Sequence, residues 1–193
     1  MQSQVILNGK KVILRDLKQE DIKKIYYWIY QAPNREHLKW NAPYHLKKEK
    51  SIEMFYEEDY KNHFMRIDKN LTRSKLVIEV DGKLIGTVGW YWVDELTNWL
   101  CNGIVIFDSN YWAGGYGTEA FSLWTDYIFE NMNVERVGIS TWSGNERMIA
   151  LAKKIGMKLE GEIRKARIVN GEYFDSIKMG ILREEWNKCK DKK

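Results

Sequence analysis

Residues 111–121 read YWAGGYGTEAF, three glycines set directly before a predicted helix. Glycine lets the main chain approach a ligand closely. The free N–H groups of a helix N-terminus then favour an anion, typically a phosphate or pyrophosphate. A Walker A loop needs Gly-Lys-Ser/Thr at its end, and Gly117-Thr118 has no lysine between them. Gly115 to Ala120 fits the dinucleotide fingerprint G-x-G-x-x-A letter for letter. That fingerprint joins strand to helix in one tight turn and wants an acid at the end of the next strand. Here Asp108 to Gly114 intervenes, and the next strand ends Ser140-Thr141-Trp142. A nicotinamide oxidoreductase therefore rests on this match alone, and a plain surface loop is the bland alternative.

Outward from the loop, the chain reads as a mixed sheet with helices on its faces. Residues 99–107 (WLCNGIVIF) form the last strand of a three-stranded meander, after 74–80 (SKLVIEV) and 83–93 (KLIGTVGWYWV), with Asp81-Gly82 as a tight turn. A short strand at 11–15 (KVILR) precedes them, then a helix over 16–30 with Ile22, Ile25, Tyr26 and Ile29 on one face. Pro33 and Pro43 make 31–46 a loop or a broken helix, and 47–60 suits a second helix. Past the loop come a helix over 118–130, a strand at 136–141, and a helix over 145–154 ended by Gly156. A hairpin, 157–167 and 173–182, turns at Asn170-Gly171, and a short helix follows from Arg183. The expected order, βαα-βββ-αβ-α-ββ, has about seven strands, mostly antiparallel.

The 193 residues suit one domain spanning 1–193. Nine Trp, eleven Tyr and six Phe exclude a disordered chain. No apolar run nears the roughly 18 residues of a membrane span, and the opening MQSQVILNGKKVILRD lacks a signal-peptide core. The cytoplasm is the expected location. Two cysteines and three histidines lack metal-ligand spacing, so no metal is expected. The net charge of +4 owes much to Lys188, Lys190, Lys192 and Lys193, a solvated tail rather than a nucleic-acid stripe.

The segment YWAGGYGTEA resembles the acetyl-coenzyme A loop of the GNAT N-acetyltransferase superfamily, Gln/Arg-x-x-Gly-x-Gly/Ala, with Trp112, Gly115 and Gly117 at the defined positions. Trp at the first position is typical of the branch with ribosomal-protein N-terminal alanine acetyltransferases and spermidine acetyltransferases. GNERMIALAKKIGMKLEGEIRKARIVNGEYFDSIKMGILREEW and LRDLKQEDI are similar to that branch's C-terminal half and opening. The resemblance covers nearly the whole chain and is weakest over 31–73.

It implies a fold whose fourth strand (99–107) and fifth (136–141) splay apart around acetyl-coenzyme A. Backbone groups of Ile104, Val105 and Ile106 would pair with the pantetheine arm. Those of Trp112, Ala113, Gly114, Gly115, Tyr116, Gly117 and Thr118 would hold the pyrophosphate. Asn145 would bond the pantetheine or cap its own helix, and Lys153 or Lys154 would reach the 3′-phosphate or face solvent. The implied reaction is direct acetyl transfer to a primary amine: a peptide or protein N-terminus, polyamine, antibiotic or small metabolite. The acting form would be a monomer or homodimer. A catalytically weak acyl-coenzyme A-binding module is the alternative, because two residues depart from the pattern. Cys101 stands where many members place a glutamate base, and Ala152 where many place a tyrosine acid.

A thiol among apolar neighbours is a poor base, so Cys101 reads first as a packed residue. At pH 7, freeing a lysine-like amine of its proton costs roughly 4–5 kcal/mol, an α-amine only about 1. A weakly basic amine is thus the easier acceptor. Asp94, Glu95, Tyr173 and Asp175 are further acid–base candidates. The acceptor pocket is expected from 26–64 and the last hairpin. There, aromatics (Tyr26, Trp28, Tyr30, Trp40, Tyr44, Phe55, Tyr56, Tyr60, Phe64) sit among acids (Glu49, Glu53, Glu57, Glu58, Asp59). That mixture suits a cationic amine, or simply a helix with an aromatic core face and a charged outer face.

Overall fold

The computed structural model describes residues 4–45 and 48–190. The expected helix start at Lys47 and the tail residues Lys192 and Lys193 lie outside them. Among the described residues the strands are β1 (Ile6–Asn8), β2 (Ile13–Arg15), β3 (Lys75–Val80), β4 (Lys83–Asp94), β5 (Trp99–Ile106), β6 (Arg136–Trp142), β7 (Lys158–Val169) and β8 (Glu172–Leu182). They form one sheet in the order β1-β2-β3-β4-β5-β6-β8-β7, antiparallel except where β5 meets β6. The helices are α1 (Gln19–Tyr26), α2 (Ile52–Asp59), α3 (Lys61–Asp68), α4 (Tyr116–Asn131), α5 (Glu146–Lys154) and α6 (Arg183–Lys190).

Local chemistry explains the turns. Asp81 and Gly82 both have positive φ, as do Asn170 and Gly171, the twist that matches a two-residue hairpin to its strands. Gly156 (φ +98°) ends α5. Its N–H donates to Lys153 O, and Met157 N–H to Ala152 O, so both orphan carbonyls are satisfied.

Two layers flank the sheet. On one face α4 buries Phe121, Trp124 and Ile128 against Leu76, Ile78, Val88, Leu100, Val137 and Ile139. On the other, α1, α2 and α3 bury Ile22, Ile25, Phe55, Tyr60 and Phe64 over Val77, Leu84 and Phe107. Most of the aromatics expected to line an acceptor pocket are this second core. Buried ion pairs tie α1 and the segment before it to the strands: Arg15 to Asp21 at 2.7 Å and Arg73 to Asp16 at 2.8 Å.

Four boundaries differ from the expected ones. The sheet has eight strands rather than seven, because Ile6–Asn8 adds an edge strand beside Ile13–Arg15. The first helix starts at Gln19, since Asp16 is drawn into the ion pair with Arg73, and it widens into a π-turn over Tyr27–Gln31. The second begins at Ile52, where the Ser51 hydroxyl accepts the Met54 N–H. At Tyr60 the chain breaks and restarts as α3.

Candidate functional site

β5 pairs with β4 along its length, but with β6 only at Leu100↔Val137 and Cys101↔Gly138. Beyond Cys101 the two strands splay, and the β5 edge at residues 102–106 has no partner there. The opening leads to a cleft of about 410 Å³. Its walls include Ile104, Val105, Ile106, Trp112, Ala113, Gly115, Gly117, Thr118 and Asn145. Gly115 has φ +85° and Ala113 φ +60°, a left-handed kink that aims the chain into the α4 N-terminus. The first N–H groups of α4 lack intrahelical partners and carry the positive end of its dipole. The Trp112 indole N–H donates to Ile106 O at 3.1 Å, joining loop to strand end.

A latch holds this loop. The Glu119 carboxylate accepts the backbone N–H groups of Lys10 (2.8 Å), Lys11 (2.7 Å) and Val12 (2.9 Å). The Lys11 ammonium donates to Gly114 O at 2.8 Å. Across the cleft mouth Arg147 stacks between two indoles, 4.3 Å from the Trp112 ring centre and 5.2 Å from that of Trp40. Trp40 O accepts the Trp142 indole N–H and the Asn145 amide, at 3.1 and 3.0 Å. The other end of the Asn145 side chain accepts Met148 N–H. Asn145 thus caps α5 and tethers the Trp40 segment with one amide.

Cys101 lies on the opposite face of β5, 3% exposed. Burial pushes its thiol above the usual range, against the pull of Arg136, Tyr91 and Lys178. The Tyr91 hydroxyl beside it is pushed up to about 12, first by burial, then by Cys101. Neither group is a base at neutral pH. Ala152 is wholly buried in the α4-side core.

An acetyltransferase (GNAT) domain matches residues 11–158. The chain belongs to the GNAT acetyltransferase family. It is an acetyl-coenzyme A-dependent N-acetyltransferase, the reaction class implied by its glycine loop. It is 29% identical over 160 residues to an uncharacterized N-acetyltransferase, YnaD, of Bacillus subtilis (strain 168), covering 77% of this chain and 90% of that one. To the spermidine N(1)-acetyltransferase of Escherichia coli (strain K12) it is 25% identical over 186 residues, 93% of this chain and 90% of that one. The crystal structure of a spermidine N-acetyltransferase from Vibrio cholerae in complex with CoA and spermine superposes with a TM-score of 0.73. Identity there is 20%, over 93% of this chain and 99% of that one.

Several residues of this GNAT enzyme fall elsewhere than the sequence suggested. Lys154 lines the cleft, whereas Lys153, Gly114 and Tyr116 stand outside the lining. Arg147 and His37 line it without any sequence signal, beside Trp40, expected among the acceptor aromatics, and Tyr111, which opens the glycine segment. Asp94 closes its own turn by accepting Leu96 and Thr97 N–H, and Asp175 accepts Lys165 N–H. Three of the four acids of α2 are matched by lysines, Glu57 with Lys61, and Glu58 and Asp59 with Lys50. No helix among the described residues is long and apolar enough to cross a membrane.

Proposed function

We propose that this cleft binds acetyl-coenzyme A and that the chain passes the acetyl group directly to a weakly basic primary amine in the cytoplasm. The observation that carries the reading is the unpaired β5 edge running into the glycine loop within one cleft. When bound, acetyl-coenzyme A supplies an activated acetyl thioester. The β5 edge offers main-chain groups to its pantetheine arm, as a further strand would. The N–H groups from Ala113 to Thr118 face the pyrophosphate, that of Trp112 being taken by Ser109 O, with Lys154 and Arg147 adding positive charge. Apolar Ile104, Ile106, Met148 and Leu151 keep water from the arm.

The proton balance selects the acceptor. With Cys101 and Tyr91 both held in their neutral forms, no strong base faces the amine at this position. An α-amine, costing about 1 kcal/mol to deprotonate at pH 7, then has an advantage of roughly 3 kcal/mol over a lysine-like amine. Calorimetric titration with acetyl-coenzyme A, with NAD as control, tests the cleft. Micromolar binding of acetyl-coenzyme A alone is expected, and release of thiol on adding α-amines should follow. Binding of NAD instead, or of neither, overturns the reading.

A further inference from the structure

On the α1–α3 face of the sheet, four neighbouring strands present glycine: Gly89 on β4 is paired with Gly103 on β5, and Gly138 on β6 with Gly180 on β8. A Cβ added at Gly103 would meet nothing within 4 Å. The missing side chains at Gly138 and Gly180 leave room that the Arg136 guanidinium and the Glu160 carboxylate enter, with Lys178 alongside on β8. Arg136 folds back along β6, and its guanidinium occupies the space a side chain on Gly138 or Gly180 would fill. It pairs with Glu160 and contacts Met179 O, yet its Nη1 is buried without a hydrogen-bond partner. Lys178 reaches Ser140 Oγ at 2.6 Å, and no carboxylate among the described residues pairs with it. Arg136 lies over Gly138, the β6 partner of Cys101, and both cations pull the Cys101 thiol toward its charged form. Where the family's pattern has a carboxylate, this chain has a thiol near an ion-paired arginine and an unpaired lysine.

We propose that Arg136 and Lys178 receive a carboxylate of the acceptor, so that the substrate is an α-amine followed by an acidic group rather than a polyamine. This rests on the acetyltransferase reading above. A polyamine would bring further cations to an uncompensated lysine, whereas a carboxylate meets Lys178 Nζ beside the Arg136 guanidinium. The spacing agrees. Gly103 lies two residues beyond Cys101, and Gly138 one strand over. An amine above Gly103 and the Arg136 guanidinium above Gly138 are therefore about 8 Å apart, from about 3.3 Å per residue and 4.8 Å between strands. That is the reach from a peptide N-terminus to a second-residue glutamate. Lys178 and Arg136 are positioning residues here: they fix the acceptor and take no proton.

The test compares Ala-Glu-amide, Ala-Gln-amide and Ala-Lys-amide as acceptors, with free glutamate as a fourth. The expected order of kcat/KM is Glu over Gln by about tenfold, with Lys lowest. Lys178→Gln should bring the Glu/Gln ratio close to one, and Lys178→Glu should invert it. Faster turnover of free glutamate than of the dipeptide would assign the same carboxylate pocket to an amino acid. Equal turnover of the three peptides, or a Glu/Gln ratio that survives Lys178→Gln, overturns the inference and leaves the acetyltransferase standing. Absence of turnover with every amine refutes the proposed reaction instead. In that case, thermal stabilisation by acetyl-Ala-Glu-amide with coenzyme A present, lost in Lys178→Gln, still reports on the carboxylate pocket.

Discussion

Lys75 gives the sharpest stability prediction. It sits on β3 with its ammonium 4.4 Å from the Tyr60 ring centre. Burial holds its pKa down to about 8, with Asp59 pulling the other way. Against the ordinary value of 10.5 this is a drop of about 2.5 units, worth about 3 kcal/mol at 1.36 kcal/mol per unit. Between pH 8 and 10.5 the unfolded chain binds the proton that the folded chain releases, so stability rises with pH across that window. Below pH 8 the full penalty is present. Lys75→Met keeps the stem and removes the charge. It also removes the cation–π contact, worth about 0.5–2 kcal/mol. The net gain at pH 7 should be about 1–3 kcal/mol, read from urea unfolding of both proteins. The gap should close as pH approaches 10.5. A variant no more stable at pH 7, or a gap that ignores pH, would refute the account of Lys75 as a charge held at a cost.

Gly115 stands at φ +85°, so Gly115→Ala adds about 1–2 kcal/mol of strain at the loop. It should raise the KM for acetyl-coenzyme A tenfold or more; an unchanged KM removes the loop from the binding site. His63 has its pKa lowered to about 3, by burial first and then by Lys75 and Arg66, so it is neutral when folded. Stability attached to it is lost as pH falls from 6.5 toward 3, and His63→Gln should flatten the unfolding curve over that window. Asn145→Ala removes the α5 cap and the Trp40 tether, and should lower stability by about 1–2 kcal/mol while weakening cofactor binding. A stability loss with intact binding would confine Asn145 to capping. Cys101→Glu places a carboxylate on the acceptor face. The rising limb of kcat/KM against pH should then move to lower pH for a lysine-like amine, and an unmoved limb would separate proton removal from this position.

What the sequence exposed was local chemistry. Asp81-Gly82, Asn170-Gly171 and Gly156 each demand a backbone that few residues adopt, so their turns could be placed from the letters. The glycine loop was legible for the same reason. β1 was not, because Ile6–Asn8 is an edge strand with Ile6 and Asn8 exposed and leaves no alternating apolar trace. α3 was missed because KNHFMRID buries only Phe64. At the site, Trp40 and Arg147 lie more than a hundred positions apart, and nothing local in either predicts their stacking. Of the two readings open for the acids beside the α2 aromatics, Lys50 and Lys61 favour the charged outer face, since they pair with Glu57, Glu58 and Asp59. The surroundings of Cys101 depend on Gly138 and Gly180 yielding space to Arg136, a fact of the folded sheet alone.

The Glu119 latch sets an order of events during folding. Its three N–H partners lie 107 to 109 positions upstream. Closing so long a loop is entropically slow, and contacts of this separation dominate the folding barrier. A ribosome must therefore deliver the chain past Glu119 before residues 10–12 can lock the glycine loop. The grip on phosphate proposed for the loop arrives with the closing of that span, and a nascent chain stopped short of Glu119 lacks the latch.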